Sequence, residues 1–159
     1  MLLRPYPRYD FSQSKLEELQ SKYNFLISSP VAHLKTGKGD WEFDNDAIDL
    51  LANSLAHSDL VITMYSTFFI KAAIFDKPLI AISFDGEKNL DYWNSAVRFF
   101  DWEYLAQIGK TNGIAMAKTP EQLIELINKY LSNPQWLGEG RRKLVLQQCQ
   151  FTDGKSGER

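Results

Sequence analysis

The sequence predicts an α/β fold built on a doubly wound, mainly parallel sheet, and three observations carry that prediction. Short apolar runs of strand length alternate with longer stretches whose apolar residues recur at helical spacing. Between Asp59 and Ile82 one repeat is complete: an apolar strand, a Ser66-Thr67 junction, an apolar helix, a Lys77-Pro78 stop and a second apolar strand. Parallel strands need crossovers, and helical crossovers cover both faces of a sheet, which is the Rossmann-like arrangement.

The elements follow in order. Leu2 and Leu3 read as a short strand, from which Arg4-Pro5-Tyr6-Pro7 forces an extended exit. Ser14-Lys15-Leu16-Glu17 has the capping-box form, with Leu16, Leu19 and Tyr23 on one helical face. Phe25-Leu26-Ile27 is the next strand, and Pro30, Gly37 and Gly39 mark Ser28 to Asn45 as a long connection. Ile48, Leu51, Ala52, Leu55 and Ala56 form a helix capped by Asp44 or Asn45, which delivers the chain to a Leu60–Met64 strand.

After a Pro78–Ser83 strand, Phe84-Asp85-Gly86 reads as a turn and the aromatic-rich span Tyr92–Tyr104 as short helices. Asn112-Gly113 opens a brief strand through Ala117. Thr119-Pro120-Glu121-Gln122 combines a cap, a proline in the first helical position and a glutamine three after the cap; Leu123, Ile124, Ile127, Tyr130 and Leu131 supply the buried face. Pro134 breaks that helix, a last one runs from about Gln135 to Gln148, and Phe151–Arg159 is a polar tail.

Composition narrows the function. The 159 residues are 44% apolar, enough to bury a real core. A net charge of −2 argues against a nucleic-acid partner, and Arg141-Arg142-Lys143 reads as a solvated helix face. Cys149 is the single cysteine, so no intrachain disulfide can form and a cytoplasmic setting is expected. With His33 and His57 it falls short of a structural zinc site, and Asp44-Asn45-Asp46 reads as a helix start, so no metal is expected. The apolar stretch Leu60–Phe75 is interrupted by Ser66, Thr67 and Lys71 and is shorter than the ~20 apolar residues of a spanning helix.

The Ser66-Thr67 junction is where chemistry is expected. A helix entered from the carboxyl end of a parallel strand presents unpaired N–H groups and partial positive charge to an anion. Either hydroxyl can cap the helix or donate to a phosphate oxygen, and residue type alone leaves both open.

Three spans taken together, LLRPYPRYD, SDLVITMYSTFFIKAAIFDKPLIAI and CQFTDGKSGER, resemble the carboxyl-terminal, donor-binding half of GT-B glycosyltransferases. The resemblance is strongest to the bacterial group of CDP-glycerol glycerophosphotransferases and surface-polysaccharide enzymes. It implies transfer of a sugar or glycerophosphate from a nucleotide-activated donor to an acceptor hydroxyl, with no cofactor beyond that donor. It sets the donor pyrophosphate at Tyr65, Ser66 and Thr67, with Asp153, Gly154 and Arg159 beside the same cleft and Arg4 facing it. Two residues depart from the family: Tyr6 replaces a histidine and cannot act as an imidazole base, and Lys71 replaces a glutamate that accepts hydrogen bonds from donor hydroxyls.

The resemblance further implies that residues 1–159 are one donor-binding domain, a fragment whose partner is an amino-terminal acceptor domain, inactive alone. It leaves the catalytic base unidentified and suggests peripheral membrane association of the whole enzyme. A nucleotide-sugar epimerase is the nearest enzymatic alternative, but His33 and His57 form no paired arrangement over a sugar. A non-catalytic interaction module is the other, with Trp93, Phe99, Phe100, Trp102 and Tyr104 as a docking patch.

Overall fold

The computed structural model describes residues 1–5, 13–28, 32–35, 40–43, 45–86 and 90–159. Tyr6, Pro7, Pro30, Gly37, Gly39 and Asp44, all used in the sequence reading, lie outside the described residues. The chain is α/β with parallel strands, as expected, and divides into two units, Met1–Asn53 and Ser54–Arg159.

In the first unit β1 (Leu2–Leu3) pairs parallel with β2 (Leu26–Ile27), and α1 (Gln13–Lys22) lies between them in sequence, a minimal βαβ. The register sets Leu2 beside Leu26 and Leu3 beside Ile27. Backbone bonds of 2.9 Å from Leu26 N to Met1 O and from Ser28 N to Leu3 O extend the ladder at both ends. Phe25 is buried, and its carbonyl accepts from Gln20 Nε2 at 3.1 Å, which ties the end of α1 to the start of β2.

The long connection expected over Ser28–Asn45 contains an antiparallel pair instead, β3 (Ala32–Lys35) and β4 (Asp40–Phe43). Ala-His-Leu-Lys and Asp-Trp-Glu-Phe each alternate apolar and polar residues, the period of a strand, and the register sets Leu34 opposite Trp41 and Lys35 opposite Asp40. Pro30, Gly37 and Gly39 had outweighed that short signal. Next comes α2 (Asn45–Ala56), which buries Ala47 and Leu55 and leaves Ile48 exposed.

In the second unit β5 (Val61–Met64), β6 (Leu79–Ile82) and β7 (Ala115–Ala117) form a parallel sheet in that order. Leu79, Ile80 and Ala81 are all buried, as the middle strand of a sheet covered on both faces requires. α3 (Phe68–Ile74) crosses from β5 to β6 and buries Phe69, Ala72 and Ala73. A 3-10 helix, Ala96–Asp101, and α4 (Glu103–Gly109) occupy the aromatic-rich span. α5 (Pro120–Ser132) starts as its sequence dictates: Thr119 Oγ1 accepts from Gln122 N at 3.2 Å, and Gln122 Oε1 accepts in return from Lys118 N at 2.9 Å. Its Tyr130 packs with Ile80, Ala115 and Ala117 in the core.

The last helix, α6 (Gly138–Gln148), begins three residues later than expected, and the cause is Arg141. That side chain is 0% exposed, a correction to its reading as part of a solvated face; Arg142 and Lys143 are exposed. Arg141 Nη1 donates to Trp136 O at 2.8 Å and Nη2 to Pro134 O at 3.0 Å, so the guanidinium holds residues 134–137 as a turn rather than a helical turn. Its Nε pairs with Asp76 Oδ1 at 2.9 Å.

Asp76 ends α3. Asp76 N donates to Ala73 O and Lys77 N to Ala72 O, the two bonds of a Schellman motif, with Asp76 at φ 48° and Pro78 immediately beyond. Gly is usual at such a position and Asn or Asp occasional, and the pairing with Arg141 adds to what holds the aspartate there. α6 lies against α3 and meets the 112–113 turn so closely that a Cβ on Gly140 would sit 2.1 Å from Asn112 O.

Asp76→Ala is expected to lower the unfolding free energy by about 2–3 kcal/mol, less than for a fully enclosed pair because Asp76 is about half exposed. Asp76→Gly is expected to lose less, since glycine relieves the left-handed backbone. Urea denaturation checks both, and an alanine variant as stable as the parent contradicts the role given to the pair.

Candidate functional site

The junction between β5 and α3 is built from the inside outward. Tyr65, directly after β5, is 6% exposed and turns into the core, its ring 5.3 Å from Phe69 and 4.2 Å from Phe100 between centroids. Its hydroxyl donates to Leu105 O at 2.5 Å, so the junction is fastened to α4. Burial raises the phenol above its ordinary 10.0, partly opposed by the Gly109 backbone N–H. With the side chain committed inward, Tyr65 has only its backbone for a ligand.

Ser66 and Thr67 face the other way. Ser66 Oγ accepts from Phe68 N at 3.0 Å, a tight local turn, and its own proton remains to donate. Phe69 N bonds Ser66 O and Ile70 N bonds Thr67 O, each at 3.1 Å, so the first turn of α3 is drawn in the 3-10 manner. Thr67 has helical backbone angles, φ −59° and ψ −11°, and an exposed side chain that accepts no capping bond. Capping therefore falls to Ser66. Lys71, four residues on from Thr67 and so on the same helical face, is exposed, with no partner among the described residues.

The junction stands at the carboxyl end of β5, beside the carboxyl end of its parallel neighbour β6, where open α/β sheets hold ligands. From β6 the chain continues through Ser83 and Asp85, whose carboxylate accepts from Ala96 N at 2.7 Å and so fixes the start of the 3-10 helix. The opposite, amino-terminal end of these strands carries a recess of about 310 Å³ lined by Asp59, Asp76, Lys77 and Tyr130, among others. It contains none of the residues expected at the site.

The tail residues gather with one another. Arg159 donates to Asp153 through Nη1 at 3.1 Å and Nη2 at 2.5 Å, and its guanidinium lies 4.1 Å from the Phe151 ring centroid. Arg159 holds the Asp153 carboxyl below the usual carboxylate range, helped by Lys155 N at 3.2 Å. Gly154, at φ 74°, supplies the left-handed residue that folds this clasp. Its hydrogen bonds, ion pair and ring contact join residues of the tail itself, and none reaches Ser66, Thr67 or Lys71 among the described residues.

Arg4 belongs to the first unit, just past β1. It is half-buried, and burial lowers the guanidinium below its ordinary value. Its Nη1 is buried with no hydrogen-bond partner. Ser28, just past β2, is likewise buried with its hydroxyl unpartnered, and the sequence reading passed over it. A small polar residue at the carboxyl end of a parallel strand is the signal that would have found it. Among the described residues no three His, Cys, Asp or Glu side chains gather to hold a metal, and no helix is long and apolar enough to cross a membrane.

The protein family described as CDP-glycerol:poly(glycerophosphate) glycerophosphotransferase matches residues 5–159. The chain belongs to that family. No curated protein and no solved structure matches it. Membership carries a transferase function of the glycerophosphotransferase or glycosyltransferase kind in surface-polymer synthesis, and the expected resemblance to the glycerophosphotransferase group is upheld over residues 5–159.

Tyr65→Phe leaves Leu105 O without its donor and is expected to cost about 1–2 kcal/mol. A phenol raised in the folded state stabilises fully below its unfolded value and loses that contribution as pH climbs through the folded one. Stability of the parent is therefore expected to fall above pH 10.0, and to fall less steeply in Tyr65→Phe; the remaining slope includes Tyr130, whose phenol burial also raises, and Tyr92, raised by its hydrogen bond to Asp101. Identical slopes in denaturation series across alkaline pH contradict this.

Proposed function

We propose that the chain binds the nucleotide-activated donor of a glycerophosphotransferase, of the CDP-glycerol class, as the donor half of a GT-B enzyme. The observation that carries this reading is the family match over residues 5–159. The exposed hydroxyl of Thr67 and the free proton of Ser66 support it, because both stand at the carboxyl end of a parallel strand, as does Lys71, which shares the helical face of Thr67 and has no partner among the described residues.

Transfer of glycerophosphate to an acceptor hydroxyl leaves negative charge on the departing nucleotide, and fixed donors aimed at that charge lower the barrier. Ser66 and Thr67 donate hydrogen bonds to phosphoryl oxygens, and Lys71 adds a point charge one turn along. This gives Lys71 a phosphate contact in place of the hydroxyl-reading role of the glutamate in relatives. Arg159 takes part by exchanging Asp153 for a phosphate; Gly154 lets the tail fold back for that exchange, and Arg4 is a further cation for the donor. A cytoplasmic reaction, with the enzyme peripheral to the membrane, suits a nucleotide donor and a surface-polymer acceptor.

Thermal melts with CDP, UDP and GDP test the reading. Saturating CDP, at about a hundred times its dissociation constant, is expected to stabilise the chain by about 2.7 kcal/mol, with UDP and GDP weaker. Thr67→Ala and Lys71→Glu are each expected to weaken CDP by roughly tenfold or more, the worth of one hydrogen bond or contact to a charged group. A folded chain that no nucleotide stabilises contradicts the reading.

A further inference from the structure

Two polar groups in the first unit are buried without partners, one just past the end of each strand of its parallel ladder. Ser28 is 9% exposed and its Oγ has no hydrogen-bond partner; Arg4 has a buried Nη1 in the same condition. β1 and β2 pair parallel with Leu3 beside Ile27, and Ser28 N donates to Leu3 O at 2.9 Å, so the next step of the register sets Arg4 beside Ser28. Residues paired across a ladder project from the same face. Among the described residues Arg4 has no carboxylate partner, and burial depresses its guanidinium.

An orphan buried hydroxyl and an orphan buried guanidinium N–H each cost stability in the unliganded chain, and folded proteins seldom keep two such groups adjacent without use. Both can donate a hydrogen bond, one carries positive charge, and they stand where the carboxyl ends of parallel strands open. We propose that Arg4 and Ser28 together form a seat for one phosphoryl oxygen, with Ser28 a ligand-binding residue of the transferase. The chemistry recognised is a phosphoester anion, and it comes either from the donor diphosphate or from a phosphodiester of the glycerophosphate polymer. The assignment rests on the transferase reading above.

Melting of the 159-residue chain with CDP and, separately, with bis(glycero)phosphate diester tests the seat and tells the two sources apart. Ser28→Ala removes an unsatisfied group, so its melting temperature without ligand is expected to equal or exceed that of the parent. Its affinity for the anion that stabilises the parent is expected to fall roughly tenfold. Ser28→Thr, which keeps the hydroxyl, is expected to retain binding. A Ser28→Ala chain that responds to CDP as the parent does, and equally to the diester, overturns the seat and leaves the donor reading standing. A lower melting temperature with unchanged anion response overturns it too, and marks Ser28 as structural. Response to the diester alone, lost in Ser28→Ala, upholds the seat and sinks the donor reading; a parent that responds to neither ligand sinks both.

Discussion

The buried guanidinium of Arg141 is the constraint on which the second unit depends. Taking a cation out of water is costly, and Arg141 offsets that cost with a carboxylate and two backbone carbonyls, each in hydrogen-bond range. Those three acceptors belong to separate pieces of chain: the end of α3 and two points in the turn before α6. The ion pair therefore fixes where α3 stops and where α6 begins. α3 is only seven residues long, so fixing its end sets its beginning as well. Tyr65 holds that beginning from inside through Leu105. Between the two ties the junction is rigid on its inner side, and its outer side, Ser66, Thr67 and Lys71, is left with unused hydrogen-bonding capacity.

Used and unused polar groups separate the candidate site residues from one another. Asp153 and Arg159 are already satisfied, so any phosphate they meet must displace an existing charge-assisted pair. Arg4 and Ser28 are unsatisfied, so an incoming oxygen displaces nothing there. Unused hydrogen-bonding capacity is thus found at the carboxyl ends of β1 and β2 in the first unit and of β5 in the second. This is where the topology of parallel α/β units leaves strand ends open.

Much of this was legible in the residues. The β5–α3–β6 unit reads directly from Asp59 to Ile82, because a buried parallel strand, a short crossover and a proline stop each leave a local mark. The start of α5 was equally plain, since capping is settled within four residues. What stayed hidden depended on distant partners. Nothing near Arg141 distinguishes it from exposed Arg142 beside it; its burial is decided by Asp76, 65 residues earlier. The hairpin of β3 and β4 was hidden by breakers that outnumbered four-residue alternations. The position of Ser28 at a strand end was legible, but its burial without a partner is a property of the packed chain and not of any spacing.

Phosphate-bearing substrate is expected to meet the carboxyl end of β5, at the start of α3. Amide hydrogen exchange with and without saturating CDP measures that directly. Slowed exchange is predicted across Ser66–Ile70, with the 310 Å³ recess around Asp59 and Lys77 unchanged. Protection confined to that recess, or to α5, would contradict the claim.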